Sequence, residues 1–182
     1  HLVTTAALLF SLLLTSTGAF AQSSLGDTPP SWTLMTPQKE KITYTPKAEG
    51  KPTVMMFWAT WCPTCHALLP HLEKLHKDLG LRANVYTISL WEDSAEAPAQ
   101  LWAEKKYTLP LLLNGERISK AYGVKGTPWI VMTDAAGKVI YKRQSGETPE
   151  QVMAAIRARV PLLWQHAGEA GFLPVTLSYF AC

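Results

Sequence analysis

The sequence predicts an α/β layer fold, a sheet flanked by helices. Two features carry that expectation. Residues 53–59 (TVMMFWA) are apolar without a break, as a strand buried on both faces should be. Behind them Ala67, Leu68, Leu69, Leu72, Leu75 and Leu79 recur at helical spacing as far as Gly80, and strand-like and helix-like segments alternate from there onward.

Taken in order, residues 31–36 (SWTLMT) and 41–46 (KITYTP) alternate well enough for two short strands, joined by a turn at PQKE. AEGKP breaks the chain before the central apolar run. The helix after it ends at Gly80, and residues 83–90 (ANVYTISL) are the next buried strand. Residues 96–107 read as a helix, 109–114 (LPLLLN) as a short strand, and ERISKAYG as a short helix closed by Gly123. WIVMTD and VIYKRQ are the arms of a hairpin that turns near Ala136 and Gly137. Residues 148–160 form the last helix, with Thr148 as its cap and Pro149 in its first turn. Pro161 stops it, and residues 161–182 show no clear period.

The 182 residues are 47% apolar and 17% charged, enough for one packed domain and too apolar for global disorder. A net charge of +3 with no run of Lys or Arg argues against a nucleic-acid surface. At the N-terminus, residues 2–14 (LVTTAALLFSLLL) are apolar, and Ala19 and Ala21 flank Phe20 as an Ala-x-Ala site. The first reading is an export signal cleaved after Ala21. An uncleaved membrane anchor over residues 2–21 is the rival. Both put the domain outside the cytoplasm, in a periplasm where disulfides persist. The expected organisation is therefore 1–21 signal or anchor, 22–30 linker, 31–160 folded domain and 161–182 an extension of unassigned role.

Chemistry concentrates in FWATWCPTCH. Cys62 follows a buried strand and opens a helix, where unpaired backbone N–H groups and the helix dipole favour an anion. Cys65 lies one turn later, within reach to close a disulfide. An exposed Cys62 would attack a substrate disulfide and a more buried Cys65 would resolve the mixed disulfide. Read with His66, the same residues match the attachment signal of a c-type haem. The placement between a buried strand and a helix interrupted by Pro70 argues against that reading. No second Cys pair or His pair completes a zinc site.

FWATWCPTC resembles the active-site signature of the thioredoxin superfamily. Pro70 matches the kinking proline of that family, and GVKGTPW (residues 123–129) matches its cis-proline loop. The hairpin at 31–46 and the extra helix and strand between Val85 and Asn114 resemble the TlpA/ResA/CcmG (DsbE)-like branch. The resemblance spans residues 31–160 and omits the tail. It implies a thioredoxin-like fold: a central mixed β-sheet flanked by helices, with an N-terminal β-hairpin and a central αβ insertion. It further implies an exported, often membrane-tethered thiol-disulfide oxidoreductase that reduces disulfide-containing protein substrates. A membrane thiol-electron transporter would recharge it, with no dissociable cofactor. Pro128 would be cis, and Thr127 would pair with the substrate chain. Pro63 and Thr64 would tune the potential, and Trp61 would shape an apolar substrate surface beside Cys62.

One position departs from thioredoxin itself. Its buried aspartate falls six residues before the first cysteine, where this chain has Met56. The ResA-like branch instead carries a glutamate after the next strand, and ISLWEDS puts Glu92 there. The resemblance makes Glu92 a partly buried carboxylate able to shuttle the proton of Cys65. A solvated loop containing Glu92 and Asp93 is the alternative, and both stand open at this point. Trp58 reads as core, and Trp129 either extends the substrate groove or packs on the sheet. His66, His71 and His76 spread around their helix as solvent-facing or flanking residues. Cys182 carries no assigned function. From a different class, a non-catalytic binding or chaperone module on the same fold remains the alternative function.

Overall fold

The computed structural model describes residues 22–160. The stretch read as signal or anchor, the extension 161–182 and Cys182 lie outside the described residues. In chain order the elements are β1 (Trp32–Met35), β2 (Lys41–Tyr44), β3 (Thr53–Trp58) and α1 (Pro63–Leu79), which runs into a 3₁₀ turn at Gly80–Arg82. There follow β4 (Asn84–Ser89), α2 (Ala97–Lys105), β5 (Leu111–Leu112), α3 (Glu116–Ser119), β6 (Trp129–Thr133), β7 (Val139–Lys142) and α4 (Pro149–Arg157).

The sheet is mixed, in the order β5-β4-β3-β6-β7, and β1 and β2 form a separate antiparallel hairpin. β4 pairs in parallel with both β3 and β5, and α2 with β5 supplies the expected αβ insertion. β6 runs antiparallel to β3 and to β7. The central apolar run is the central strand, and every residue of β3 is buried. Its side chains alternate between two cores. Val54, Met56 and Trp58 join the leucines of α1 and Val152 and Ile156 of α4. Met55 and Phe57 join Trp32, Leu34 and Tyr44 of the hairpin on the other face. The hairpin thus covers one face of the sheet and the long helices cover the other.

α1 keeps its predicted stripe in Leu68, Leu69, Leu72, Leu75 and Leu79, each worth about 1.5–3 kcal/mol of burial, while Ala67 lies outside it and is exposed. Pro70 sits within the helix without ending it. α4 begins with the predicted Thr148 cap, completed by Gln151 as a reciprocal capping box. Two elements are shorter than their sequence suggests. The strand at 109–114 pairs only over Leu111–Leu112, because Pro110 has no N–H to donate and Leu113 turns to the hairpin, donating to the Met35 carbonyl at 2.9 Å. α3 closes after four residues. In the β6–β7 turn, Gly137 has φ +78 and a Cβ there would lie 2.5 Å from Pro46, so both its backbone and its surroundings require glycine.

Residues 22–30, read as a linker, carry no helix or strand yet are fastened to the domain. Val139 donates to the Asp27 carbonyl and accepts from Gly26, and Ser23 donates to Ala121. The free edge of β7 is partly covered in this way.

Candidate active site

β3 and β4 are parallel and end together, with Trp58 opposite Ser89 and the Leu90 N–H on the Trp58 carbonyl. β6 starts at the same end, because Trp129 pairs with Phe57. The loops after β3, after β4 and before β6 therefore meet at the carboxyl end of the central strands, the usual position of a site in open α/β sheets.

Cys62 is the N-cap of the 17-residue α1, with extended backbone and Pro63 following at the first turn. Its Sγ accepts the Cys65 N–H at 3.2 Å, and the Thr64 hydroxyl lies 3.5 Å away. The same N–H also donates to the Cys62 carbonyl at 3.1 Å, and a sulfur at this helix N-terminus faces the positive end of the helix dipole, which stabilises an anion there once the bond is opened. Cys62 and Cys65 form a disulfide, with Cα atoms 5.2 Å apart. Cys62 is less open than its attacking role suggests, at 3% exposed against 0% for Cys65. Pro63 and Thr64 are exposed beside it. The Thr127–Pro128 bond is cis, with Pro128 buried and Thr127 half-buried, immediately before β6.

Met56 points into the helix-side core with both cysteines, so no acid reaches the dithiol from β3. The loop after β4 carries Glu92, whose carboxylate binds Thr60, two residues before Cys62. Glu92 is half-buried, and both its oxygens accept the Thr60 N–H at 3.1 Å while Oε2 also accepts the Thr60 hydroxyl. Burial raises its pKa and the charges of Glu116 and Asp93 add to that, against the opposing Thr60 hydrogen bonds. Asp93 is exposed, so of the two acids only the second matches the solvated-loop reading. A cavity of about 190 Å³, lined in part by Glu92 and Glu116, gives room for water beside this carboxylate.

His66 is half-buried rather than solvent-facing, with Nε2 2.6 Å from the Thr60 carbonyl oxygen. A carbonyl can only accept, so Nε2 carries the proton and is turned toward the backbone. His71 and His76 are half-buried as well. Trp58 is core, its ring 4.8 Å from that of Trp102. Trp129 packs against the hairpin-side core, with the Lys142 ammonium 5.5 Å from its ring. Trp61 is half exposed, and its indole N–H donates to the Trp91 carbonyl at 2.7 Å.

Thr60, Trp91 and Glu116 escape the sequence reading. Glu116 is brought in by Gly115, whose N–H donates to the Ser89 carbonyl at 2.8 Å; a Cβ there would lie 2.6 Å from the Ile88 side chain. Their only trace in the sequence is a Gly-Glu pair that follows Leu113 and Asn114 after β5, which does not by itself specify the contact. The larger cavity of about 540 Å³ lies between the β1–β2 turn and α2 and shares no residue with this site.

The thioredoxin-like domain family matches residues 32–160, nearly the whole described region. The chain belongs to that family. Curated relatives include the thiol-disulfide oxidoreductase ResA of Halalkalibacterium halodurans, 26% identical over 106 residues that span 57% of this chain and 60% of ResA. The thiol:disulfide interchange protein DsbE of Haemophilus influenzae is 33% identical over 118 residues, 62% of each chain. The chain thus spans about three fifths of the length of these relatives. Among solved structures, a thiol:disulfide interchange protein DsbE from Chlorobium tepidum shares the fold, with a TM-score of 0.67 at 20% identity over 77% of this chain and all of that one.

Proposed function

We propose that this chain is a thiol-disulfide oxidoreductase that reduces disulfides of protein substrates outside the cytoplasm. The carrying observation is the Cys62–Cys65 pair at the N-terminus of α1, with Cys62 Sγ on the Cys65 N–H. The names of the relatives support the reaction class. The apolar N-terminal stretch with its Ala-x-Ala site supports export, as signal or as tether.

In the reduced protein the Cys62 thiolate attacks one sulfur of the substrate disulfide. That S–S bond breaks, a mixed disulfide with Cys62 forms, and the other substrate sulfur leaves as a thiolate. Cys65 loses its proton and attacks Cys62, which closes the Cys62–Cys65 bond and releases the second substrate thiol. Two electrons have passed to the substrate. Glu92 is the group proposed to take the Cys65 proton, because its raised pKa and its cavity suit proton exchange. Trp61, Pro63, Thr64, Thr127 and Pro128 are the proposed contacts for the substrate chain. A membrane thiol-electron transporter would return the two electrons.

Insulin reduction and a redox titration test the reading together. The wild type is expected to turn over insulin with a potential at or below about −200 mV. Cys62→Ser and Cys65→Ser should lose turnover, and Cys65→Ser should accumulate a mixed disulfide through Cys62. Absence of turnover would sink the enzyme reading, and a potential near about −120 mV, that of a strong oxidant, would reverse the direction.

A further inference from the structure

Four large apolar side chains are exposed among the described residues, and two of them, Trp61 and Trp91, meet beside the dithiol. Neither belongs to either core. Trp91 is 40% exposed and has φ +55, a left-handed backbone that a bulky residue adopts at a steric penalty and that Gly or Asn would adopt freely. Two other elements hold it there. Its N–H donates to Glu116 Oε1, and its carbonyl accepts the Trp61 indole N–H. The next residue, Glu92, binds Thr60, the residue before Trp61. Residues 60–61 and 91–92 are therefore clamped side by side directly ahead of Cys62, and the clamp leaves both tryptophans partly exposed.

The packing of the domain gives no reason for a tryptophan at a left-handed surface position. We propose that Trp91 is a specificity-determining residue. With Trp61 it forms an aromatic surface beside Cys62 that receives an aromatic or aliphatic side chain flanking the substrate's cysteine, and Glu116 is its positioning residue. Indoles offer a large, stiff apolar contact at small entropic loss, which suits recognition of an extended segment. Charge narrows the partner further. Asp93 and Glu116 act on Glu92 at this same edge, so the surface is bordered by negative charge and disfavours an acidic segment. This inference rests on the oxidoreductase reading and names the substrate class it would take.

The test uses the reduced protein in single turnover against synthetic peptides, each closed by one disulfide and differing only in the residue beside a cysteine: Phe, Ser or Glu. 2-Hydroxyethyl disulfide serves as a substrate with no flanking chain. The wild type should reduce the Phe peptide at least about tenfold faster than the Ser peptide, and the Glu peptide slowest. Trp91→Ala should bring the Phe/Ser ratio close to one. Trp91→Gly, which fits the left-handed backbone freely, should do the same, and Trp91→Phe should retain most of it. Glu116→Ala should lower the ratio, and Glu116→Gln should restore it, since an amide oxygen still accepts the Trp91 N–H. A ratio is insensitive to any general change in thiol reactivity that these variants cause. A wild-type ratio near one, or a ratio unchanged in both Trp91→Ala and Trp91→Gly, would overturn the inference while reduction of 2-hydroxyethyl disulfide kept the enzyme reading standing. Failure of the wild type on 2-hydroxyethyl disulfide would overturn both.

Discussion

Glu73 on α1 and Glu92 after β4 are both withdrawn from solvent, and each accepts the backbone N–H and the hydroxyl of one threonine: Thr108 for Glu73, Thr60 for Glu92. Burial pushes both pKa values up. At Glu73 that push loses to the Lys77 ammonium at 2.8 Å, the Thr108 donors and the Leu109 N–H at 3.0 Å, and the pKa falls below its ordinary value. At Glu92 burial is the largest influence and outweighs the Thr60 hydrogen bonds; the charges of Glu116 and Asp93 add to it, and none of the ion pairs among the described residues involves it. Glu73 has a cation and a second backbone donor beyond its threonine, and Glu92 has neither, so burial prevails only at Glu92. Glu73 stays ionised and fastens the turn before β5 to α1. Glu92 is left able to change its charge at the end of the sheet that holds the dithiol.

Removing the carboxylate that stays charged should have the largest effect. Glu73→Ala leaves the Thr108 and Leu109 N–H groups without their acceptor and is expected to cost about 3 kcal/mol, read as a lower midpoint in urea with unchanged slope. A loss below about 1 kcal/mol would mean that the turn finds other acceptors. A smaller change should make Glu73 resemble Glu92. Lys77→Met removes a cation that is itself more than half exposed, so about 1 kcal/mol is expected at neutral pH. The sign of its pH dependence follows from the lowered pKa. Glu73 contributes stability above the unfolded glutamate pKa of about 4.3 and loses it as pH falls through the folded value. The gap between wild type and Lys77→Met should therefore close on acidification. A gap that widens on acidification would contradict the role given to Lys77.

The same contrast shows what sequence can carry. β3, α1 and the α4 cap are legible because periodicity and capping are local, and the paired cysteines and the cis Pro128 because they sit in short motifs; Glu92 is reached only through the family resemblance. β5 is shorter than its apolar run, since strand pairing depends on the neighbour: Leu113 turns to the hairpin instead of β4. Glu73 does leave a trace, a charged residue four positions after Leu69 in the apolar stripe with Lys77 four further on. Trp91 and Glu116 left less. Their meeting depends on a close approach of two loops over Gly115, which no local pattern specifies.

The smallest expected effect on stability is also the one that separates role from fold. A carboxylate with a raised folded pKa contributes stability that is fully present below the unfolded value of about 4.3 and lost as pH rises through the folded value. Glu92→Gln does not titrate, and its amide oxygen can still accept from Thr60. It should therefore gain on the wild type as pH rises through that window, and equal or exceed it at pH 7 by less than about 1 kcal/mol. If Glu92 takes the proton of Cys65, the same variant should be the poorer enzyme, and the pH profile for alkylation of its reduced thiols should shift. Higher stability with a shifted profile would mean that the unpaired carboxylate serves the chemistry at the expense of the fold. Higher stability with an unchanged profile would leave Glu92 as a tie for Thr60 alone and send the search for the proton acceptor to another residue at the end of the sheet.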